Sequence, residues 1–362
     1  MRQISVRLGD RGYLVMIGAG LLSGVGEAVR PLVGGGKAVL VTVPPVRELY
    51  LQSVLDSLAD VGVQPLVVTV PDGEDAKTPR TYLDVVGRML DAEAGRDALV
   101  ISLGGGCVGD LAGFVASTYM RGVGLVHLPT TLLAQVDSSI GGKSALNHPR
   151  AKNLIGSFHQ PELVIADTRV LRTLPPKEAR CGLAEVLKYG AILDSELFGI
   201  LEGKAEEALG LNEGILEEIV CRSIEIKARV VGADEMDRGG RMLLNFGHTV
   251  GHAIESATGY TGYSHGEAVA IGMVAEARIA AKLGMISDGE VERIVRLATR
   301  LGLPTRASGI TADELIGLMH SDKKVRGGEL RFALPDAIGS GVVVGVTDRG
   351  LINEALSGVL EY

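Results

Sequence analysis

Two histidines lie four positions apart in LLNFGHTVGHAIE, the stretch at residues 243–255. The apolar residues around them recur with helical spacing, so the pattern predicts that His248 and His252 lie on one helical face. Arg241 and Asn245 would share that face. Histidines at i and i+4 form the simplest chelating pair for a metal ion, and the spacing alone favours this pairing.

Other segments extend the set of candidate metal ligands. Glu185 and Lys188 are three positions apart in GLAEVLKYG, and His265 precedes Glu267 in YSHGEAVAIG, at the predicted start of a helix. One glutamate with two histidines is a common catalytic zinc set that leaves coordination positions for substrate. The sequence has no H-E-x-x-H motif, which disfavours a zincin protease. Water or internal hydrogen bonds remain the alternative to a metal.

A glycine-rich turn indicates a nucleotide site. Gly104, Gly106 and Gly109 in ISLGGGCVGDLAG fit G-x-G-x-x-G between a predicted strand and a helix. Glycines there let the backbone approach a pyrophosphate at a helix N-terminus. No acidic residue follows roughly 20 positions on, so the ordinary Rossmann fingerprint is incomplete. A tight strand-to-helix turn is the alternative. The charged stretch DGEDAK at 72–77 also follows a predicted strand. It is interpreted either as part of a ligand site or as a solvated turn.

The middle of the chain is unusually polar. Lys143, Lys152 and Asn153 lie within PTTLLAQVDSSIGGKSALNHPRAKNLIGSFHQP, at residues 129–161. These groups suit a phosphate, and in a chain of net charge −8 a local basic cluster indicates an anionic substrate. The stretch has little predicted regular structure, which favours a functional loop over an ordinary surface loop.

The elements that position these residues divide at Pro175–Pro176. Before it, β-branched runs such as KAVLVTV and DALVISL alternate with amphipathic helices, which predicts a parallel sheet covered on both faces. After it, helical periodicity dominates. We therefore predict an α/β domain over 1–177 and a helical domain over 178–362, with a ligand cleft between them. The later helices are predicted at 177–193, 195–209, 212–232, 241–257, 265–284, 288–301 and 311–320.

Composition excludes several functions. Aromatic residues make up 4% and tryptophan is absent, which argues against a stacking platform for nucleic acid. The negative net charge disfavours nucleic acid and anionic membranes as partners. The three scattered cysteines form no C-x-x-C, which indicates a reducing compartment. We predict no signal peptide and no spanning helix, and hence a cytoplasmic protein.

Together these segments resemble one enzyme family. GGGCVGDLAGFVASTYMRG, LPTTLLAQVDSSIGGKSALNHP, KNLIGSFHQP, GLAEVLKYG, LNFGHTVGHAIE and SHGEAVAIGM, in this order, are similar to the motifs of 3-dehydroquinate synthases. The resemblance extends to SDKKV at 321–325. It implies a Rossmann-like N-terminal domain, an all-α C-terminal domain and a homodimer. The chain departs from the family pattern at Val43, Cys107 and Ser144–Ala145.

The resemblance also implies the reaction. The substrate would be 3-deoxy-D-arabino-heptulosonate 7-phosphate and the product 3-dehydroquinate, in the second step of the shikimate pathway. Tightly held NAD⁺ would oxidise a ring hydroxyl, phosphate would be eliminated, and the hydride would return before ring opening and intramolecular aldol closure. Another sugar-phosphate cyclase, such as 2-deoxy-scyllo-inosose synthase, or a metal-dependent polyol dehydrogenase remains the alternative.

Site residues carried over from the family fall into three sets. NAD would contact Asp72, Glu74, Lys77, Gly106, Cys107, Val108, Gly109, Asp110, Thr130, Thr131, Lys143, Lys152, Val170, Leu171, Arg172 and Thr173. Zn²⁺ or Co²⁺ would bind Glu185, His248 and His265, which separates His248 from His252. The substrate phosphate would meet Lys143, Asn153, Asn245, His252 and Arg121 of the partner subunit. Its carboxylate and hydroxyls would meet Lys188, Lys227, Arg241 and either Lys323 or Lys324.

Overall fold

The computed structural model describes residues 1–237, 239–321 and 329–361. These form two compact units: Met1–Leu174 with Leu216–Met236, and Pro175–Ile215 with Asp237–Tyr362. A helical segment from the second half of the chain therefore packs with the first unit. The division into domains at 177/178 stays a prediction. Lys323 and Lys324, both predicted to meet substrate, lie outside the described residues.

The first unit is built on a seven-stranded sheet of order β1-β2-β9-β6-β5-β3-β4. The strands of this unit are β1 (Arg2–Val6), β2 (Tyr13–Gly18), β3 (Ala38–Thr42), β4 (Leu66–Thr69), β5 (Leu99–Gly104), β6 (Gly124–Pro129), β7 (Lys143–His148), β8 (Ala151–Phe158) and β9 (Leu163–Asp167). Only the β1–β2 pairing of this sheet is antiparallel. Strands β3, β5 and β9 are buried throughout, as their continuous apolar runs predict.

Helices connect these strands. They are α1 (Val25–Val33), α2 (Pro44–Val46), α3 (Gln52–Asp60), α4 (Pro79–Asp91) and α5 (Gly106–Thr118). A π-helical turn at Arg47–Leu51 joins α2 to α3. The side chains of α4 and α5 pack with β3 and β5 in one apolar core that includes Val41, Val85 and Val115. Parallel strands thus end beside the start of α5, where the glycine-rich turn lies.

The polar middle is more regular than its sequence predicts. It contains a π-helical turn at Ala134–Ser138 and the antiparallel hairpin of β7 and β8. The prediction of little regular structure is wrong here. The reason is that β8 exposes apolar side chains, including Leu154 and Ile155, so the usual alternation of buried apolar and exposed polar residues is missing.

The second unit is mainly helical. Its helices, with the one shared between the units, are α6 (Pro176–Leu193), α7 (Ser195–Leu209), α8 (Glu213–Ala233), α9 (His248–Ala257), α10 (His265–Lys282), α11 (Asp288–Arg300), α12 (Ala312–Ser321) and α13 (Arg349–Ser357). Short strands β10 (Ala307–Ser308) and β13 (Leu360–Glu361) pair, as do β11 (Leu330–Ala337) and β12 (Ser340–Val346). No helix in the described part of the chain is long and apolar enough to cross a membrane.

The predicted continuous helix over 241–257 is interrupted. A 3₁₀ helix covers Gly240–Asn245, and α9 begins only at His248, after Gly247 in the left-handed conformation with φ 79°. A Cβ atom at Gly247 would lie 2.6 Å from the carbonyl oxygen of Val269, so α10 approaches too closely for a side chain. Arg241 and Asn245 therefore do not share a helical face with the two histidines, and that prediction is wrong.

Candidate active site

Three helices of the second unit bring together a glutamate and two histidines. The Nε2 atoms of His248 and His265 each lie 3.5 Å from Oε1 of Glu185. The ligand atoms of these three residues all fall within 4.8 Å of one another. Glu185 comes from α6, and each histidine is the first residue of its helix, α9 or α10. Residues far apart in sequence thus form one compact donor set.

The spacing of these donors fits a small divalent cation. Ligands at about 2.1 Å from zinc in tetrahedral geometry lie about 3.4 Å apart, close to the 3.5 Å between Glu185 Oε1 and each histidine nitrogen. The carboxylate of Glu185 is fully buried, where an uncompensated charge is costly. One carboxylate and two imidazoles also leave coordination positions for substrate.

The electrostatics of the cluster favour a positive charge at its centre. Burial opposes protonation of His265, but Glu185 and Glu255 prevail and raise its pKa to about 10. Oε2 of Glu255 lies 3.5 Å from Nδ1 of His265. At His248, burial is the largest influence and lowers the pKa well below its ordinary value. The cluster therefore combines a neutral imidazole with a position where two carboxylates attract a cation.

His252 is a neighbour of this donor set but not a member of it. Its ring centroid is 5.4 Å from that of His248, one turn earlier on α9, and 6.3 Å from that of His265. It forms a second group of potential ligands with Glu255 and His265. Among the described residues, no group of potential ligands contains both His248 and His252. The i, i+4 pairing favoured by spacing alone is therefore not the arrangement in the structure.

Further polar side chains of the second unit accompany the cluster. Lys188 is buried and donates a hydrogen bond from Nζ to Oε2 of Glu185. Arg241 is buried within the 3₁₀ helix, and Asn245 is half-buried at its end. A carboxylate from α10, Glu276, accepts hydrogen bonds from the backbone N–H groups of Gly247 and Val250 at 2.7 and 3.3 Å. It thereby caps the helix that carries His248 and His252.

In the first unit, a second polar cluster surrounds the buried ammonium group of Lys77. Its Nζ donates to Oδ2 of Asp110 at 2.6 Å and also to Oδ1 of Asn153. Burial disfavours the charge on Lys77, yet Asp110 and Glu74 raise its pKa above the ordinary value. Burial is also the dominant influence at Asp110 and raises its pKa. The pair thus holds an ammonium and a carboxylate near the start of α5.

Glu74 extends this cluster towards the β7–β8 hairpin. Oε2 of Glu74 accepts a 2.7 Å hydrogen bond from Nδ2 of Asn147, and Oε1 lies 3.5 Å from Nζ of Lys152. Burial opposes the charge on Glu74, but Lys77, Asn147 and Lys152 together lower its pKa. Asp72 begins the same segment, where its side chain accepts from Gly73 N. Segments predicted separately to bind NAD are therefore in direct contact.

In the glycine-rich turn, neighbouring side chains lie too close to the backbone for a Cβ atom. A Cβ at Gly104 would lie 2.6 Å from Val108, and one at Gly106 would lie 2.9 Å from Ser138 Oγ. The N-cap residue of α5, Gly105, makes no capping side-chain hydrogen bond, so backbone N–H groups at this end can serve a ligand. Burial raises the pKa of the Cys107 thiol in this turn to about 12, which keeps it unreactive.

The remaining predicted residues of the first unit are spread over several elements. Thr130 follows β6 and is buried, as are Val170 and Leu171, whereas Val108 and Gly109 lie in the first turn of α5. Thr131 is half-buried, while Lys143, Arg172 and Thr173 are exposed. The hydroxyl of Tyr50 donates to the carbonyl of Val170 at 2.9 Å and bonds to Thr173 Oγ1. The 170–173 segment is therefore anchored by a residue that sequence reasoning did not select.

Lys227 and Arg121 also lie in the first unit. The buried Lys227, from α8, forms an ion pair with Asp137 in the π-helical turn. Arg121 is exposed, and both it and Met120 have left-handed backbone conformations, with φ of 72° and 50°. Two successive non-glycine residues in this region are unusual and costly, and such strain clusters at functional sites.

Sequence comparison identifies the family. Residues 67–181 match the N-terminal and residues 182–325 the C-terminal domain of 3-dehydroquinate synthase. The chain is 46% identical over 365 aligned positions to the 3-dehydroquinate synthase of Pelotomaculum thermopropionicum, covering 100% of this chain and 98% of the relative. The chain belongs to the 3-dehydroquinate synthase family. The predicted resemblance is thereby confirmed.

Solved structures of related cyclases share the fold. A 2-deoxy-scyllo-inosose synthase complexed with carbaglucose-6-phosphate, NAD⁺ and Co²⁺ superposes with a TM-score of 0.89 at 26% identity, covering 99% of this chain and 100% of that one. The 2-epi-5-epi-valiolone synthase of Streptomyces hygroscopicus, with NAD⁺ and Zn²⁺ bound, gives 0.87 at 30% identity over 96% of each chain. The predicted fold class, a parallel-dominated α/β part with a helical C-terminal part, is confirmed.

Four polar residues of these clusters were not selected from the sequence as site residues. They are Asp137, Asn147, Glu255 and Glu276. Glu255 had a signal within reach, because it lies one turn after His252 in the same motif, whereas Glu276 lies inside an apolar helix with no motif around it. Asn147 lies in the polar middle, but its partners become evident only when the hairpin folds beside residues 72–77.

Proposed function

We propose that this chain is a 3-dehydroquinate synthase that converts 3-deoxy-D-arabino-heptulosonate 7-phosphate to 3-dehydroquinate and phosphate. The observation that carries the proposal is the grouping of Glu185, His248 and His265 in a chain that is 46% identical to a 3-dehydroquinate synthase over 98% of that relative. In this role the enzyme catalyses the second step of the shikimate pathway and returns NAD to its starting oxidation state.

Glu185, His248 and His265 would hold Zn²⁺ or Co²⁺. When bound, such an ion polarises a coordinated hydroxyl and lowers its pKa, which suits oxidation of an alcohol. Lys188 orients Glu185 through its buried hydrogen bond. We assign Lys188 and Arg241 to the substrate carboxylate and hydroxyls, because both are cationic groups held within the second unit. Lys227, paired with Asp137 in the first unit, is assigned the same class of contact.

NAD, when bound, accepts a hydride and later returns it. The first turn of α5, Gly106 to Asp110, offers backbone N–H groups for the pyrophosphate. Glu74, Lys77 and Lys152 form the polar wall beside it. The full set assigned to NAD is Asp72, Glu74, Lys77, Gly106, Cys107, Val108, Gly109, Asp110, Thr130, Thr131, Lys143, Lys152, Val170, Leu171, Arg172 and Thr173.

We assign the substrate phosphate to Lys143, Asn153, Asn245 and His252. His252 and Asn245 lie in the second unit, where His252 is exposed beside the metal cluster. Lys143 and Asn153 lie in the β7–β8 hairpin of the first unit, where Asn153 has an unusual φ of 53°. Cations and amides of this kind bind phosphate through charge-assisted hydrogen bonds.

We further propose a cytoplasmic homodimer in which Arg121 serves the partner's site. The exposed apolar residues of β8, Leu154 at 47% and Ile155 at 38%, support self-association. The strained backbone at Arg121 supports a function for its side chain. Mixing inactive Arg121→Ala and Lys188→Ala subunits should restore activity, since a mixed dimer would contain one intact site. Activity that stays absent in verified mixed dimers would place Arg121 in its own subunit's site.

One assay tests the proposed reaction. Purified protein, the heptulosonate phosphate, catalytic NAD⁺ and Zn²⁺ should give dehydroquinate and phosphate in equal amounts, without accumulation of NADH. Phosphate release from another sugar phosphate with no dehydroquinate would indicate a sister cyclase, the alternative that the structural likeness to 2-deoxy-scyllo-inosose synthase keeps in view. Net NADH formation with a polyol would instead indicate a dehydrogenase.

A further inference from the structure

Asn147 forms hydrogen bonds to both sides of the polar cluster in the first unit. Its backbone N–H donates to the carbonyl oxygen of Lys77 at 2.8 Å. Its Nδ2 donates to Oε2 of Glu74 at 2.7 Å. Its Oδ1 accepts from the backbone N–H of Asn153 at 3.0 Å. One side chain and its own backbone thus tie the 72–77 segment to the β7–β8 hairpin.

The hairpin is irregular at this residue. The register of β7 and β8 shifts between Leu146 and His148, so Asn147 lies opposite the extra residues of β8 at the bulge. Across the hairpin, Asn153 has a left-handed conformation with φ 53°. Bulges next to active sites re-aim side chains. Opposite this bulge, Nδ2 of Asn147 donates to Glu74 and its side-chain oxygen accepts from the backbone N–H of Asn153.

We propose that Asn147 is a positioning residue that fixes the NAD-binding groups and the phosphate-binding groups relative to each other. It acts through Glu74 on one side and through Asn153 on the other, and it has no assigned contact with either ligand. Lys77 closes the arrangement, because its Nζ donates to Asn153 Oδ1 as its backbone accepts from Asn147. This inference rests on the proposed function, since it assumes that the cluster binds NAD and phosphate.

Asn147→Ala tests the proposal in the zinc-loaded enzyme. Loss of a hydrogen bond to a charged group should weaken NAD⁺ binding, measured by calorimetry, by roughly tenfold. The inhibition constant of inorganic phosphate against the heptulosonate phosphate should rise by a similar factor, whereas kcat should change less than either. The zinc content should stay at the wild-type level. Unchanged affinities for NAD⁺ and phosphate, or a change in only one of them, would overturn the proposal.

Asn212→Ala provides a matched control. The side chain of Asn212 also accepts backbone hydrogen bonds, from Gly214 and Ile215 at the start of α8, but it lies in the second unit. The Asn212→Ala substitution should lower the unfolding midpoint without altering the affinity of the enzyme for NAD⁺ or phosphate. If the two variants lose affinity equally, the effect of Asn147→Ala is a general loss of stability and the proposal fails.

If Asn147→Ala does not fold, the proposal can be tested by exchanging the hydrogen-bond donor and acceptor of Asn147 and Glu74. Asn147→Asp places two carboxylates together and should weaken NAD⁺ binding more than tenfold. Combining it with Glu74→Gln reverses donor and acceptor and re-forms the hydrogen bond at the original net charge. The double variant should bind NAD⁺ more tightly than the product of the two single effects predicts. Strict additivity would overturn the proposal. Absence of dehydroquinate formation by the wild-type enzyme would instead refute the proposed function.

Discussion

The two polar clusters differ in how their charges are balanced. In the first unit, the carboxylates of Glu74 and Asp110 face the ammonium groups of Lys77 and Lys152, so the cluster neutralises itself. In the second unit, the carboxylates of Glu185 and Glu255 face imidazoles, and Glu185 also accepts a hydrogen bond from the ammonium group of Lys188. An imidazole is positively charged when it is protonated and can bind a metal ion when it is neutral. The first cluster is thus suited to exchanging partners with a polar ligand, and the second to holding a metal ion.

Glu185→Gln should have the largest effect, because it removes the carboxylate from the metal cluster. Outer-shell partners alone affect metal affinity or activity by about 10–100-fold, so loss of a direct ligand should exceed that range. Zinc content and turnover are the measurements, and NAD⁺ affinity should change little. Glu206→Gln, at an exposed ion pair with Arg300, is the matched control and should leave all three near wild type. Full zinc occupancy in Glu185→Gln would show that the cluster of the second unit does not hold the metal ion through Glu185.

His252→Ala sharpens the contrast within the second unit. We expect this variant to retain zinc but to lose turnover by about 100-fold, as expected for removal of an acid–base or charge-stabilising group. The exposed His320 of α12 offers a control for the loss of an imidazole. Failure of His252→Ala to bind zinc would show that the assignment of the histidines is wrong.

Local patterns predicted the elements better than they predicted the site. The buried runs of β3 and β5 and the periodicity of α11 gave bounds close to those observed, because each is determined by burial of its own residues. The pairing of His248 with Glu185 depends instead on how three helices pack, and i, i+4 spacing selected His252. The resemblance to a family predicted the grouping of Glu185, His248 and His265, which no periodicity contains.

The interruption of the predicted 241–257 helix at Gly247 shows a second reason why a prediction from sequence can be wrong. Apolar spacing continues across Phe246 and Gly247, so the sequence reads as one helix. The interruption follows from contact with α10, whose backbone at Val269 excludes a Cβ atom and whose Glu276 accepts the N–H of Gly247. Long-range contacts of this kind override local propensity.

The stability of the first unit should fall in acid because of a buried histidine close to the glycine-rich turn. His127 of β6 is buried, bonded through Nδ1 to Ser102 Oγ at 2.7 Å, and burial lowers its pKa to about 4. The unfolded chain takes up this proton near pH 6.5, so the contribution is complete above pH 6.5 and is lost as the pH falls towards 4. The loss should amount to about 3 kcal/mol.

Urea denaturation at several pH values measures this dependence. His127→Asn lowers stability overall but should flatten its decline between pH 6.5 and about 4. His320→Ala, which replaces an exposed imidazole, should keep the wild-type slope. An equal slope in His127→Asn and wild type would show that another group causes the acid sensitivity.

The smallest effects should come from comparing the caps of the two helices that begin with the predicted metal-binding histidines. Glu276 uses both carboxylate oxygens to cap α9, one for Gly247 N and one for Val250 N. Glu267 uses a single oxygen, Oε2, to accept from both the backbone N–H and the hydroxyl of Ser264 at α10. Glutamine keeps one acceptor oxygen and replaces the other with a donor.

Glu276→Gln should therefore lose one cap hydrogen bond and place an NH₂ group against a backbone N–H, at a cost of about 2 kcal/mol. Glu267→Gln can retain both hydrogen bonds and should cost less than about 1 kcal/mol. Urea midpoints measure the difference, and zinc affinity should fall in Glu276→Gln because α9, the helix that Glu276 caps, carries His248. Equal costs in the two variants would show that the charge of the cap, rather than its number of acceptor oxygens, stabilises these helices.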